Sequence, residues 1–182
     1  MVRSPFRLLV LTLTAALAAL VVAAPAQATA PYCGITWGSV AKAGPTTLPA
    51  PRATAVAVRA GRHGCYDRLV LDVRGVTSFG TWRAEYVRTV TEDASGRPVA
   101  LRGGAFLQIS VGAGQGYRSS SELVPVAGFT TFRQVASAGS FEGVTSIGLG
   151  VRARLPFRVL TTTGIPGSTD GVRIVVDVAH AW

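Results

Sequence analysis

Short runs of alternating apolar and polar residues, separated by glycine, proline, serine or aspartate, repeat along this chain. In residues 105–111, for example, Leu107 and Ile109 fall on one face of an extended chain, and Gln108 and Ser110 fall on the other. Beyond the N-terminal region, no window sustains an apolar stripe at helical spacing through three turns. Alternation of this kind between turn residues is typical of β-strands, so the sequence predicts an all-β domain.

The spacing of these runs predicts an antiparallel β-sandwich of about eight to nine strands. The longest connection is a Gly/Ser-rich loop over residues 112–121. The predicted strands cover residues 55–59, 66–73, 82–90, 98–101, 105–111, 131–137, 144–151, 157–162 and 172–178.

The first 28 residues have the organisation of a secretory signal peptide. They carry two arginines, no acidic residue and an apolar run over residues 8–24. Small residues then allow cleavage after Ala28, with Ala30 as a second site. An uncleaved anchor is the alternative, because a run of 17 residues reaches the lower limit for spanning a bilayer. We expect a signal peptide over residues 1–28 and a secreted, extracellular or cell-wall-associated mature protein with no membrane attachment after cleavage.

The charge balance indicates a basic protein. The chain has 18 Lys+Arg and 9 Asp+Glu, which gives +9, and removal of two arginines with the signal peptide leaves +7. A basic surface attracts polyanions. Export makes nucleic acid an unsuitable partner, so the excess charge favours anionic ligands outside the cell.

Two cysteines in an exported chain predict one disulfide, Cys33–Cys65. The bridge would attach a proline-rich N-terminal arm, residues 29–54, to a domain over residues 55–182. Metal binding is the alternative, since His63 and Cys65 form an H-x-C pair, but two cysteines and two histidines give little support for a zinc site. We therefore expect no metal and no cofactor.

The sequence offers little for catalysis. It contains no G-x-S-x-G or H-E-x-x-H motif. A triad of a serine among residues 119–121 with His180 and Asp177 would rest on residue types alone. Asp72 and Asp177 lie within apolar strands, where we expect them to pair with arginine, and a catalytic dyad is the alternative. The chain is predicted not to be an enzyme.

Arginine clusters are the strongest candidates for ligand binding. Arg152 and Arg154 share a face if their segment is a strand, and Arg158 follows closely. Arginine forks suit carboxylates and phosphates. Tyr117 and Arg118 in the Gly/Ser loop add an aromatic ring and a cation that could pack on a sugar. A solvated surface that only confers solubility is the alternative.

Several motifs together resemble the AMIN-like domain of secreted proteins from high-GC Gram-positive bacteria. The likeness covers residues 55–182, and two of its segments, residues 68–73 and 173–178, are similar to each other. The motifs are YDRLVLD at residues 66–72, LRGGAFL at 101–107, GSFEG at 139–143, PFRVL at 156–160 and RIVVDVAH at 173–180.

The resemblance implies a β-sandwich related to the amidase N-terminal (AMIN) domain, a non-catalytic module that directs cell-wall amidases and envelope machines to peptidoglycan. No catalytic domain follows before Trp182. The resemblance therefore implies a non-catalytic domain of the cell envelope that binds peptidoglycan, an anionic wall polymer or an envelope protein. A secreted modulator or inhibitor of a wall hydrolase is the alternative.

Overall fold

The computed structural model describes residues 31–46, 52–78, 80–114 and 122–182. Within these ranges the chain forms one 3-10 turn, Tyr32–Gly34, and nine β-strands, with no α-helix. The strands are β1 Lys42–Ala43, β2 Thr54–Arg62, β3 Tyr66–Arg74, β4 Trp82–Val87, β5 Ala105–Val111, β6 Phe132–Phe141, β7 Val144–Val151, β8 Phe157–Ile165 and β9 Ser168–Ala179.

The strands form two antiparallel sheets that pack as a sandwich. The five-stranded sheet has the order β1-β4-β5-β7-β6, and the four-stranded sheet has the order β2-β3-β9-β8. The prediction of an all-β antiparallel sandwich is confirmed. β5 and β7 begin and end at the predicted residues.

The core lies between the two sheets and follows the predicted alternation. Leu69 and Leu71 of β3 are fully buried, and they meet Ile109 and Ile147 from the other sheet in one apolar cluster. Ile174 of β9 joins the same cluster. Full burial of one such side chain stabilises the fold by about 1.5–3 kcal/mol.

The connection from β4 to β5 differs from the prediction. Residues 98–101 form no strand, because Pro98 makes only an isolated bridge with Thr91, and β4 ends at Val87 rather than at residue 90. The segment instead crosses the outer face of the five-stranded sheet. There the backbone N–H of Arg102 donates to Oε1 of Gln134 at 2.7 Å.

Two glycines of β7 allow this close approach. A Cβ at Gly150 would overlap the carbonyl oxygen of Arg102, and a Cβ at Gly148 would crowd Leu101 and Val90. Side chains at these two positions would push the crossing segment away from the sheet. The outer face of the five-stranded sheet is therefore covered along β7.

The N-terminal arm joins the edges of the two sheets. Cys33 and Cys65 form the predicted disulfide, with Cα atoms 6.3 Å apart. The N–H of Phe157 in β8 donates to the carbonyl of Gly38 at 2.8 Å. β1, which the sequence did not predict, then pairs Lys42 with β4 of the other sheet. The arm thus contacts both sheets.

Residues 1–28, the predicted signal peptide, lie outside the described residues, so cleavage after Ala28 or Ala30 stays a prediction. The division into an arm over residues 29–54 and a domain over residues 55–182 also stays a prediction. No helix in the described part of the chain is long and apolar enough to cross a bilayer.

Removal of the disulfide should destabilise the protein. Replacement of both residues, Cys33→Ala with Cys65→Ala, is expected to lower the free energy of unfolding by about 3 kcal/mol, because the bridge restricts the unfolded chain. Urea denaturation of the variant and of the reduced wild type measures the loss. The two samples should have the same midpoint. Thiol labelling of the native wild type, or a variant as stable as the oxidised protein, would contradict the assignment.

Candidate functional site

The outer face of the four-stranded sheet carries the two similar sequence segments side by side. β3 and β9 pair antiparallel, with Arg68 opposite Asp177 and Asp72 opposite Arg173. The likeness between the segments therefore corresponds to a local two-fold relation between neighbouring strands of one sheet.

A buried carboxylate joins three strands at one end of this face. Asp177 of β9 is fully buried. Arg68 of β3 donates to it from Nε and Nη2, at 2.7 and 2.9 Å, and Arg158 of β8 donates from Nε at 2.8 Å. The hydrogen bond to Asp177 raises the pKa of the Arg68 guanidinium. The expectation that the strand aspartates pair with arginine is confirmed.

The other end of the face carries an arginine–aspartate ion pair and a further arginine. Arg59 of β2 donates to both carboxylate oxygens of Asp72, at 2.9 and 2.8 Å, and this bonding raises the pKa of Arg59. Arg173 lies opposite Asp72 in register, yet its buried Nε has no hydrogen-bond partner among the described residues. This face therefore carries more guanidinium groups than carboxylates.

Aromatic rings surround the arginines that hold Asp177. The Cζ atom of Arg158 lies 5.4 Å from the ring centroid of Trp37 and 5.3 Å from that of Tyr66. Arg68 lies 5.1 Å from the Tyr66 ring, and His63 stacks on Tyr66 at 4.6 Å. We refer to these five residues as the aromatic–arginine cluster.

The cluster leaves guanidinium nitrogens available to a ligand. Arg158 uses only Nε for Asp177, and its Nη1 and Nη2 donate to no residue in the described ranges. About a quarter of its side chain is exposed, at 25%. A carboxylate or phosphate can accept both N–H groups of such a fork, and the neighbouring rings can pack against an attached sugar or apolar group.

Arg152 and Arg154 do not share a strand face, because β7 ends at Val151 and both residues lie in the connection to β8. Both are exposed. Arg154 lies over the Tyr86 ring with its Cζ 4.7 Å from the centroid. Arg152 donates to the carbonyl of His180. The expectation that Arg152 and Arg154 present their guanidinium groups together from one strand face is therefore wrong. Each of them instead contacts a different residue of the domain.

The other predicted site residues fall in two groups. Tyr117, Arg118 and the serines of residues 119–121 lie outside the described residues. His63 occupies the turn between β2 and β3. No group of three or more histidine, cysteine or carboxylate side chains in the described segments is arranged to hold a metal ion.

His180 has a partner that the sequence analysis missed. Its Nε2 lies 3.1 Å from Oδ1 of Asp67, not beside Asp177 as a triad would need. The buried Oδ2 of Asp67 also accepts the backbone N–H groups of Thr131 and Phe132, at 2.5 and 3.1 Å. This arrangement connects β3, β6 and the C-terminal residues. Asp67 stands inside the YDRLVLD motif, but no pattern in the sequence indicated contacts so distant along the chain.

The fold and this face define an antiparallel β-sandwich with a basic, partly aromatic surface. Residues 53–180 match the family model of the AMIN-like domain, and the chain belongs to the AMIN-like family. Domains of this family are generally non-catalytic binding domains, and the family suggests association with the cell envelope. No curated protein and no solved structure matches the chain.

Loss of the central carboxylate should be costly. Asp177→Asn removes the charge that Arg68 and Arg158 share, and we expect the free energy of unfolding to fall by roughly 3 kcal/mol, because two partly buried guanidinium groups lose their partner. The matched control, Glu85→Gln, removes the partner of Arg83 in an exposed pair and should cost at most about 1 kcal/mol. Urea denaturation compares the two variants. Equal losses would show that Asp177 does not stabilise the sheet more than a surface carboxylate does.

Proposed function

We propose that the protein is a secreted, non-catalytic binding domain that holds peptidoglycan or an anionic wall polymer through the outer face of its four-stranded sheet. The observation that carries this proposal is the set of contacts that Arg158 makes. Asp177 holds the Nε of Arg158 beside two aromatic rings, while the terminal nitrogens of Arg158 donate to no residue that the structure describes. A fixed fork beside rings suits a polymer that presents both acidic groups and sugars.

Preorganisation supports this role for the cluster. A free arginine side chain loses rotamer entropy when it binds a ligand, at a cost of roughly 0.5–1.5 kcal/mol for each immobilised side chain. Arg158 is already fixed by Asp177, by Trp37 of the arm and by Tyr66 of β3. Less of its freedom remains to be lost on binding.

The neighbouring arginines extend the proposed contact surface. Arg154 is exposed and lies in the connection that leads into β8, and Arg152 precedes it. Arg173 adds a guanidinium further along the sheet. Tyr117 and Arg118, although outside the described residues, remain part of the proposal. Several weak contacts of this kind add up on a repeating polymer and weaken with salt, because salt screens exposed charges.

Export from the cytoplasm is part of the proposal. The excess of basic residues, +7 once the first 28 residues are removed, and the disulfide both fit a protein that works outside the cytoplasm. The signal peptide over residues 1–28, with cleavage after Ala28 or Ala30, belongs to the same proposal.

Sedimentation with isolated cell wall tests the function. The double variant Arg154→Gln with Arg158→Gln should bind wall at least tenfold more weakly than the wild type, since the loss of even one charged hydrogen bond costs roughly 1.5 kcal/mol. The control, Arg83→Gln with Arg97→Gln, removes the same charge from the five-stranded sheet and its covering segment, and it should bind within twofold of the wild type. Thermal unfolding confirms that all three proteins are folded.

Two results would contradict the proposal. One is failure of the wild type to pellet with wall even at low salt. The other is equal weakening of the two double variants, which would mean that net charge rather than the outer face of the four-stranded sheet determines binding.

A further inference from the structure

A second candidate binding site lies at the opposite end of the sandwich from the disulfide. β3 runs from Tyr66, beside Cys65, to Arg74, and past that end a cleft of about 610 Å³ opens between the two sheets. Clefts of roughly 300–1,000 Å³ accept small organic ligands. The aromatic–arginine cluster contributes no residue to the described lining.

The floor of the cleft is apolar. Val111 of β5, Val172 and Ile174 of β9 and Val73 of β3 line it, and each is a nearly fully buried core residue. No aromatic ring is among the described lining residues. Small branched side chains form a surface for methyl groups and other small apolar groups, and they offer no flat platform for a sugar.

Opposite charges stand at the same cleft. Arg52 and Asp170 both line it, and both are exposed. They are not within ion-pair distance of each other, and the Arg52 side chain bonds to no residue in the described part of the chain, while the Asp170 carboxylate accepts a hydrogen bond from Ser168. A cation and an anion that form no ion pair with each other can be bridged by a ligand carrying both charges.

Glycine backbone also lines the cleft. Gly75, Gly80 and Gly112 line the cleft without side chains. Gly75 has a φ of +79°, and a Cβ there would overlap the carbonyl of Arg52, so glycine at this position places residue 52 beside the cleft.

We propose that this cleft binds a short peptide with small apolar side chains and free ends, its carboxylate toward Arg52 and its ammonium toward Asp170. A fatty acid could pair its carboxylate with Arg52 but would leave Asp170 without a cationic partner, and a nucleotide would bring further negative charge to the side of Asp170. A zwitterion can pair with both Arg52 and Asp170 while its apolar groups occupy the valine and isoleucine floor. The site is independent of the proposed wall-binding surface.

Titration with unmodified alanine, dialanine and trialanine, followed by ¹H–¹⁵N NMR, tests the site. The amide signals of Gly75, Gly80 and Gly112 should shift, and the peptide whose length fits the distance between Arg52 and Asp170 should bind tightest, since each residue adds about 3.3–3.6 Å. The same peptide with an acetylated N-terminus and an amidated C-terminus should bind at least tenfold more weakly. Absence of shifts with all three probes, or equal binding of the blocked peptide, would overturn the proposal.

Variants separate this site from the wall-binding face. Arg52→Gln and Asp170→Asn should each weaken peptide binding at least tenfold, whereas Arg62→Gln, at the far end of β2, should leave it unchanged. Both cleft variants should still pellet with cell wall. Peptide affinity that is unaffected by both cleft variants would refute the site. The double variant Arg154→Gln with Arg158→Gln should bind the peptide as tightly as the wild type, even if it no longer binds cell wall.

Discussion

The carboxylate of Asp177 is the interaction on which the basic face depends. Asp177 belongs to β9 and is fully buried, and its carboxylate binds Arg68 of β3 and Arg158 of β8. A buried charge is stable only when it is paired and hydrogen-bonded. That requirement fixes both guanidinium groups against the sheet, and it places Arg158 beside a ring of the N-terminal arm and a ring of β3, which also contact each other. The position of the arm in turn depends on the Cys33–Cys65 disulfide. The Asp177 carboxylate therefore connects three strands of the sheet, and through Arg158 it also connects the arm with the proposed binding face.

The two outer faces of the sandwich differ for a physical reason. Gly148 and Gly150 let the β4–β5 connection lie directly on β7, so the five-stranded sheet is covered there by its own chain. In the four-stranded sheet the outward positions of β3 and β9 carry arginine and aspartate around a central valine pair, and Arg173 has a buried Nε without a described partner. An unsatisfied buried donor costs roughly 1–3 kcal/mol.

Local patterns predicted much of the fold, and distant contacts account for what they missed. Alternation predicted both ends of β5 and β7 correctly. The position of the aspartates within apolar strands predicted that they pair with arginine, but not with which arginines. Residues 98–101 look like a strand by composition, but Pro98 lacks an N–H and the segment lies across the sheet rather than in it. Arg152 and Arg154 would share a face only if β7 continued through them, and β7 ends at Val151. The pairing of Asp67 with His180 spans 113 residues, a separation at which no local pattern gives information.

Arginine footprinting with phenylglyoxal on the protein bound to isolated cell wall tests the central assignment most directly, because it reports each guanidinium separately. Protection at Arg158 and Arg173, and at Arg154 in the neighbouring β7–β8 connection, with Arg83 and Arg97 modified as fast as in the free protein, is the result that binding through the outer face of the four-stranded sheet predicts. Protection of Arg83 and Arg97 instead, or the same degree of protection at all five arginines, would contradict it.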